Sequence, residues 1–231
     1  VKLIEQEIES HGNGCDLNHI DVSSFTDLSN LFNGKDFNGD ISKWNVSNVE
    51  DMSYMFDYSE FNGDISNWSV GKVKNMNNMF SHSKFNGDIS KWDTSQVESM
   101  EGLFSNSKFN GNISKWDVSQ VKNMHMIFWQ SKFNGDISNW TVGNVEDMEG
   151  IFTESDFSHD LTKWEPYKLK YGICESATTV GGFDNCPAPI PYWAKVNDKE
   201  KRDRLIDIYH FQKELSKELS NNNNAKKKVK I

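Results

Sequence analysis

The chain has no apolar run approaching the roughly 18–20 residues that cross a bilayer as a helix, so no membrane span is expected. Its first residues, VKLIEQEIESHG, lack the apolar core and small-residue cleavage site of an export signal. The chain as it stands is therefore expected in the cytoplasm, with the cell surface or secretion as the alternative if an upstream signal has been removed. Cysteine is scarce and odd in number: Cys15, Cys174 and Cys186. None stands in a CxxC or Cys/His cluster, which argues against a zinc knuckle. Cys174 and Cys186 could close one loop, but three reduced thiols are the simpler expectation for a cytosolic protein. All four prolines lie between residues 165 and 197, so the long segment before them has no backbone interruption of that kind.

Positive charge is also short. Lys and Arg number 25 against 34 Asp and Glu, a net charge of -9, which argues against nucleic acid as the main partner. GxSxG, Walker and HExxH motifs are missing. The six His residues (11, 19, 82, 125, 159 and 210) fall at different repeat positions and form no ligand spacing. No enzyme activity, cofactor or metal is expected on these grounds. Hydrophobic residues make up only 36%, so a core has to draw on the 15 Phe and 8 Trp, each of which buries a large area.

What is abundant is repetition. FNGDISKW at 37–44 returns as FNGDISNW (61–68), FNGDISKW (85–92), FNGNISKW (109–116), FNGDISNW (133–140) and a worn FSHDLTKW (157–164). The Trp column advances by 24 from Trp44 to Trp164, with Phe, Met and a second Phe column in step. A fixed period of this size predicts a stack of coils, each burying its apolar face against the next. Within one coil, Trp44 and Val46 are two apart and predict a short strand, with Lys43, Asn45 and Ser47 on its other face. From Val49 through Met52, Met55 and Phe56 the spacing becomes three and four, which predicts a helical return. Asn-Gly predicts a tight turn, and Asp40 a cap on free backbone N–H groups. The column of Asp40, Asp64, Asp88, Asp136 and Asp160 is read as turn capping rather than Ca²⁺ binding, because each coil offers one carboxylate and not a ligand set.

The expected fold is thus an α/β solenoid with a parallel β-sheet on one face, short helical returns on the other and helical caps. Its parts are an N-terminal capping helix (1–12), the repeat stack (13–165), an irregular C-terminal cap (166–197), a C-terminal helix (198–220) and a flexible basic tail (221–231). The pattern FNGDISxWxVSxVxxMxxMF, with its I-x-x-W-x-V-x-x-V core, resembles the BspA-like leucine-rich repeats of bacterial surface proteins, also found in mycoplasma lipoproteins. The resemblance covers about residues 16–164. It implies a right-handed solenoid and a role in binding proteins or host surfaces, and it brings no catalytic motif.

Candidate binding residues come from two sources. Lys43, Lys91 and Lys115 recur on the polar strand face. Tyr54, Tyr58, His82, Met126 and Trp129 stand where the copies differ, and aromatic and Met side chains are typical interface anchors. The expected function is a non-enzymatic protein-interaction module with an unknown protein partner. The alternative is an exported adhesin or receptor that binds a host protein or a glycan.

Overall fold

The computed structural model describes residues 2–170 and 181–228. The coil is a succession of corners. The Asp40 carboxylate accepts the Ser42 N–H at 2.9 Å, and the Trp44 N–H closes onto the Ile41 carbonyl at 3.1 Å. The Val49 N–H then reaches the Val46 carbonyl at 2.9 Å, Met55 reaches Met52 at 3.2 Å, and Asp57 reaches Tyr54 at 3.2 Å. Each corner turns an apolar side chain inward. Ile41, Trp44, Val46, Val49, Met52, Met55 and Phe56 are all buried.

Coils are joined along residues 50–58. The N–H groups of Met52, Tyr54, Phe56 and Tyr58 donate to the carbonyls of Asn75, Asn77, Met79 and Ser81, one coil further on, at 2.8–3.0 Å. On a neighbouring column the Lys74 N–H returns to the Glu50 carbonyl at 2.8 Å. Asn side chains add a third seam, in which the Asn62 N–H donates to Asn38 Oδ1 and Asn86 to Asn62, each at 2.8 Å.

This arrangement overturns the expected α/β solenoid with a parallel sheet and helical returns, and leucine-rich-repeat geometry is not supported. Among the described residues there is no β-strand. The only β-pairing between coils among these residues is a series of isolated parallel bridges, such as Asp51↔Asn75 and Asn75↔Ser99. The helices are α1 (Lys2–His11), α2 (Lys199–Lys228) and two short 3-10 turns (Gly181–Phe183 and Tyr192–Lys195), all outside the repeats. The physical reason lies in two local choices. The expected strand is bounded by turns, with the N–H groups of Trp44 and, just after it, Val49 spent on carbonyls three residues back. In the expected helical return, Tyr54 and Tyr58 have φ of 58° and 51°, which breaks both helix and strand. Alternate N–H groups there point to the next coil, and the rest close turns.

The core consists of aromatic columns. Phe56, Phe80 and Phe104 stack at 5.7–5.9 Å between centroids, and Phe61, Phe85 and Phe109 at 6.2–6.3 Å. From Trp68 to Trp164 each Trp of the repeat column donates its indole N–H to the carbonyl of the Ile one coil earlier, as from Trp68 to Ile41 (3.1 Å) and from Trp92 to Ile65 (3.2 Å). At the start of the stack Trp44 uses the Leu17 carbonyl, and Ile4 of α1 is buried in the same core. Beyond the last repeat, Trp193 stacks on Trp164 at 6.4 Å and donates to the Leu161 carbonyl. Phe183 is buried against Phe152, whose N–H is taken by the Gly182 carbonyl. A non-repetitive segment thus supplies the two contacts that a further coil would make.

Gly87 is followed closely by the ring of its own Phe85. A Cβ there would lie 2.8 Å from the ring carbon Cε2, and that ring is fixed in its column. Gly87→Ala is expected to destabilise by about 1–3 kcal/mol through overpacking. Gly143→Ala, whose nearest atom would be 3.7 Å away, should stay within about 0.5 kcal/mol. Thermal unfolding of both variants checks this, and equal midpoints would refute the packing account. Trp92→Phe keeps the ring stack but removes the indole bond to the Ile65 carbonyl, which still accepts the Trp68 N–H, so a loss of about 0.5–1.5 kcal/mol is expected in the same assay.

Candidate functional site

The 50–58 segment and its equivalents carry most of the variation between copies. The column of Asn30, Tyr54, Asn78, Gly102, Met126 and Gly150 has positive φ throughout, and so does the column of Gly34, Tyr58, His82, Asn106, Gln130 and Glu154. A left-handed backbone costs a non-glycine residue about 1–2 kcal/mol. It persists here because the left-handed residue donates its own N–H to the next coil, as Tyr54 does to Asn77 and Tyr58 to Ser81. The recurrence of Asn and Gly in both columns was a readable sign of this conformation.

Five of the expected binding residues come together on this edge. Tyr54 is 38% exposed and Tyr58 is 61% exposed, and the Tyr58 ring stacks on His82 at 4.0 Å. Met126 and Trp129 lie further along the same edge and are half-buried. Met126 rests over Gly150, where a Cβ would come within 2.9 Å of its Cγ. Lys43, Lys91 and Lys115 are exposed but sit on the turn after the capping Asp, away from this edge in the coil. The capping itself is as read: Asp40, Asp64, Asp88 and Asp136 each accept the N–H two residues on, and that bond holds their carboxyls below the usual range. α2 turns its stripe outward, with Ile208, Phe211, Leu215 and Leu219 exposed and, over residues 199–220, only Ile206 and Arg202 buried. Cys174 lies outside the described residues. The Cys186 thiol donates to the Phe157 carbonyl at 3.1 Å.

Sequence reasoning set the histidines aside, yet stacking gives one of them ligand-like neighbours. His125 and Glu149 occupy the same coil position 24 residues apart, and Asp147 stands two residues before Glu149. One donor atom from each lies within 4.8 Å of the other two. The signal was present in the period: residues 24 apart, and their neighbours at 22, become adjacent. His125 Nδ1 is 3.7 Å from Asp147 Oδ1, an ion-pair distance that is too long for a hydrogen bond. The Asp147 carboxylate beside it raises the His125 pKa above its ordinary value, against the effect of burial, with smaller help from Glu101 and Glu149. Asp147 is lowered in return, chiefly by His125.

A raised His pKa adds stability that is present at low pH and is lost as pH rises through the folded value. A lowered Asp pKa adds stability that is lost on acidification. The pair therefore contributes most between about pH 4 and pH 6.5. His125→Asn should destabilise the fold most in that window, by less than about 1 kcal/mol as read from thermal unfolding, with the difference fading towards pH 8. A difference independent of pH would refute the pairing.

Two overlapping stretches, residues 5–108 and 81–171, match a family described as "Mycoplasma protein of unknown function, DUF285". No curated protein and no solved structure matches the chain. No helix among the described residues is long and apolar enough to cross a membrane. The two matched stretches together take in the whole repeat array and well over half of the sequence, and on that basis the chain belongs to the DUF285 family.

Proposed function

We propose that the chain is a non-enzymatic protein-interaction module. The observation that carries this reading is the pair Tyr54 and Tyr58, exposed side chains whose own backbone N–H groups are bonded to the next coil. Tyr58 is held further by its stack on His82. Aromatic side chains that are already ordered lose little freedom on binding, which favours them as anchors. Met126 and Trp129 extend the same edge, and Lys43, Lys91 and Lys115 form a separate row that an acidic partner surface would suit. A cytoplasmic setting goes with this reading.

A second reading is an exported adhesin that binds a host protein or glycan. It is supported by the likeness of FNGDISxWxVSxVxxMxxMF to BspA-like surface-protein repeats.

The deciding experiment is purification of the tagged chain from its native host, from lysate and membrane fractions, with identification of what accompanies it. One stoichiometric protein is expected, depleted at least tenfold in Tyr54→Ala/Tyr58→Ala and in Met126→Ala/Trp129→Ala. Both double variants should keep their thermal midpoint within a few degrees. Absence of any stoichiometric protein would overturn the module reading and favour a glycan ligand.

A further inference from the structure

The repeat that contains His125 differs from the others in chemistry as well as in shape. The position of His125 is Ser29, Ser53, Asn77, Glu101 and Glu149 in the other coils, so an imidazole is stacked between two carboxylates in this one place. Asp147 faces it from the adjacent column. One oxygen of Asp147 accepts the Glu149 N–H at 2.9 Å, which fixes the carboxylate relative to the backbone. Glu101, on the opposite side, is already engaged by the Asn123 side-chain amide at 3.0 Å.

His125 Nδ1 is buried and has no hydrogen-bond partner. A buried ring nitrogen without a partner is costly, and the Asp147 carboxylate beside it stops at 3.7 Å, with Glu149 completing a group whose ligand atoms lie within 4.8 Å of one another. A cation removes that mismatch. Two ligand atoms about 2.1 Å from a tetrahedral ion stand about 3.4 Å apart, close to the 3.7 Å between His125 Nδ1 and Asp147 Oδ1. Mixed imidazole and carboxylate ligands suit first-row divalent ions rather than Ca²⁺ or Mg²⁺.

We propose that His125, Asp147 and Glu149 bind one divalent first-row cation of the Zn²⁺ type, through one imidazole nitrogen and two carboxylates. The ion joins two successive coils and lies on the same segment of the coil as Met126 and Trp129. All three ligands are half-buried, so solvent supplies the remaining coordination.

The test is calorimetric titration of ZnCl₂ into the full chain after chelator treatment. One equivalent is expected to bind saturably and to raise the thermal midpoint. His125→Asn and Glu149→Gln should each weaken binding at least tenfold and abolish the thermal shift. A His11→Asn/His19→Asn variant, which removes the two imidazoles beside Glu7, should leave both unchanged. If His125→Asn lowers the midpoint of the metal-free protein, Glu149→Gln decides. The proposal is overturned if no saturable equivalent binds, if both site variants bind as the parent does, or if only the His11/His19 variant loses zinc.

Discussion

The stack depends on a single buried donor per coil. An indole N–H enclosed in an aromatic core has to find an acceptor, and in every repeat it finds the carbonyl of the preceding Ile or its equivalent, 27 residues back. That bond constrains the length of the coil, since one residue more or less would leave the buried indole N–H without its acceptor, although the carbonyl would keep the backbone N–H three residues on. It also explains how the array ends. Trp193 arrives at a different spacing, 32 residues from its acceptor, yet makes the same bond and the same ring stack. The requirement outlasts the repeat that usually meets it.

Backbone groups are satisfied by a division of labour rather than by a sheet. Turns within a coil use some N–H groups, and bonds between coils use the alternate ones. The left-handed residues at two positions per coil make this alternation possible. Their conformational cost is offset by the inter-coil bonds they make, and it concentrates on the edge where side chains differ most between copies. Backbone strain and sequence variety therefore share one place, as expected where a surface rather than a core is being shaped.

Much of this was legible in the sequence. The period fixed the columns, and the buried residues are the ones the columns named, including Phe37, Trp44, Val49 and Met52. Asp40 and its equivalents cap turns, as expected of a carboxylate that follows the Asn-Gly turn. The secondary structure was misread because the spacing of Val49, Met52, Met55 and Phe56 is shared by a helix and by successive tight turns. Only the backbone angles of Tyr54 and Tyr58 separate the two. The Trp acceptor was unreadable because it is a main-chain carbonyl, which carries no side-chain signature. His125 was passed over because the histidines were compared only with one another, and no two share a column, whereas its neighbours in the stack are carboxylates of the next coil.

The outermost column on the bonded segment reads Glu50, Lys74, Glu98, Lys122, Glu146, Lys170. Glu50 pairs with Lys74 at 2.6 Å, Glu98 with Lys122 at 2.6 Å, and Glu146 with Lys170. The core repeats every coil, but this column repeats every second one. Removal of one internal coil would leave the aromatic stacks intact and set like charges against each other, whereas removal of two would restore the alternation. The array therefore counts in pairs, and its electrical unit is 48 residues long, twice the 24-residue step of its packing.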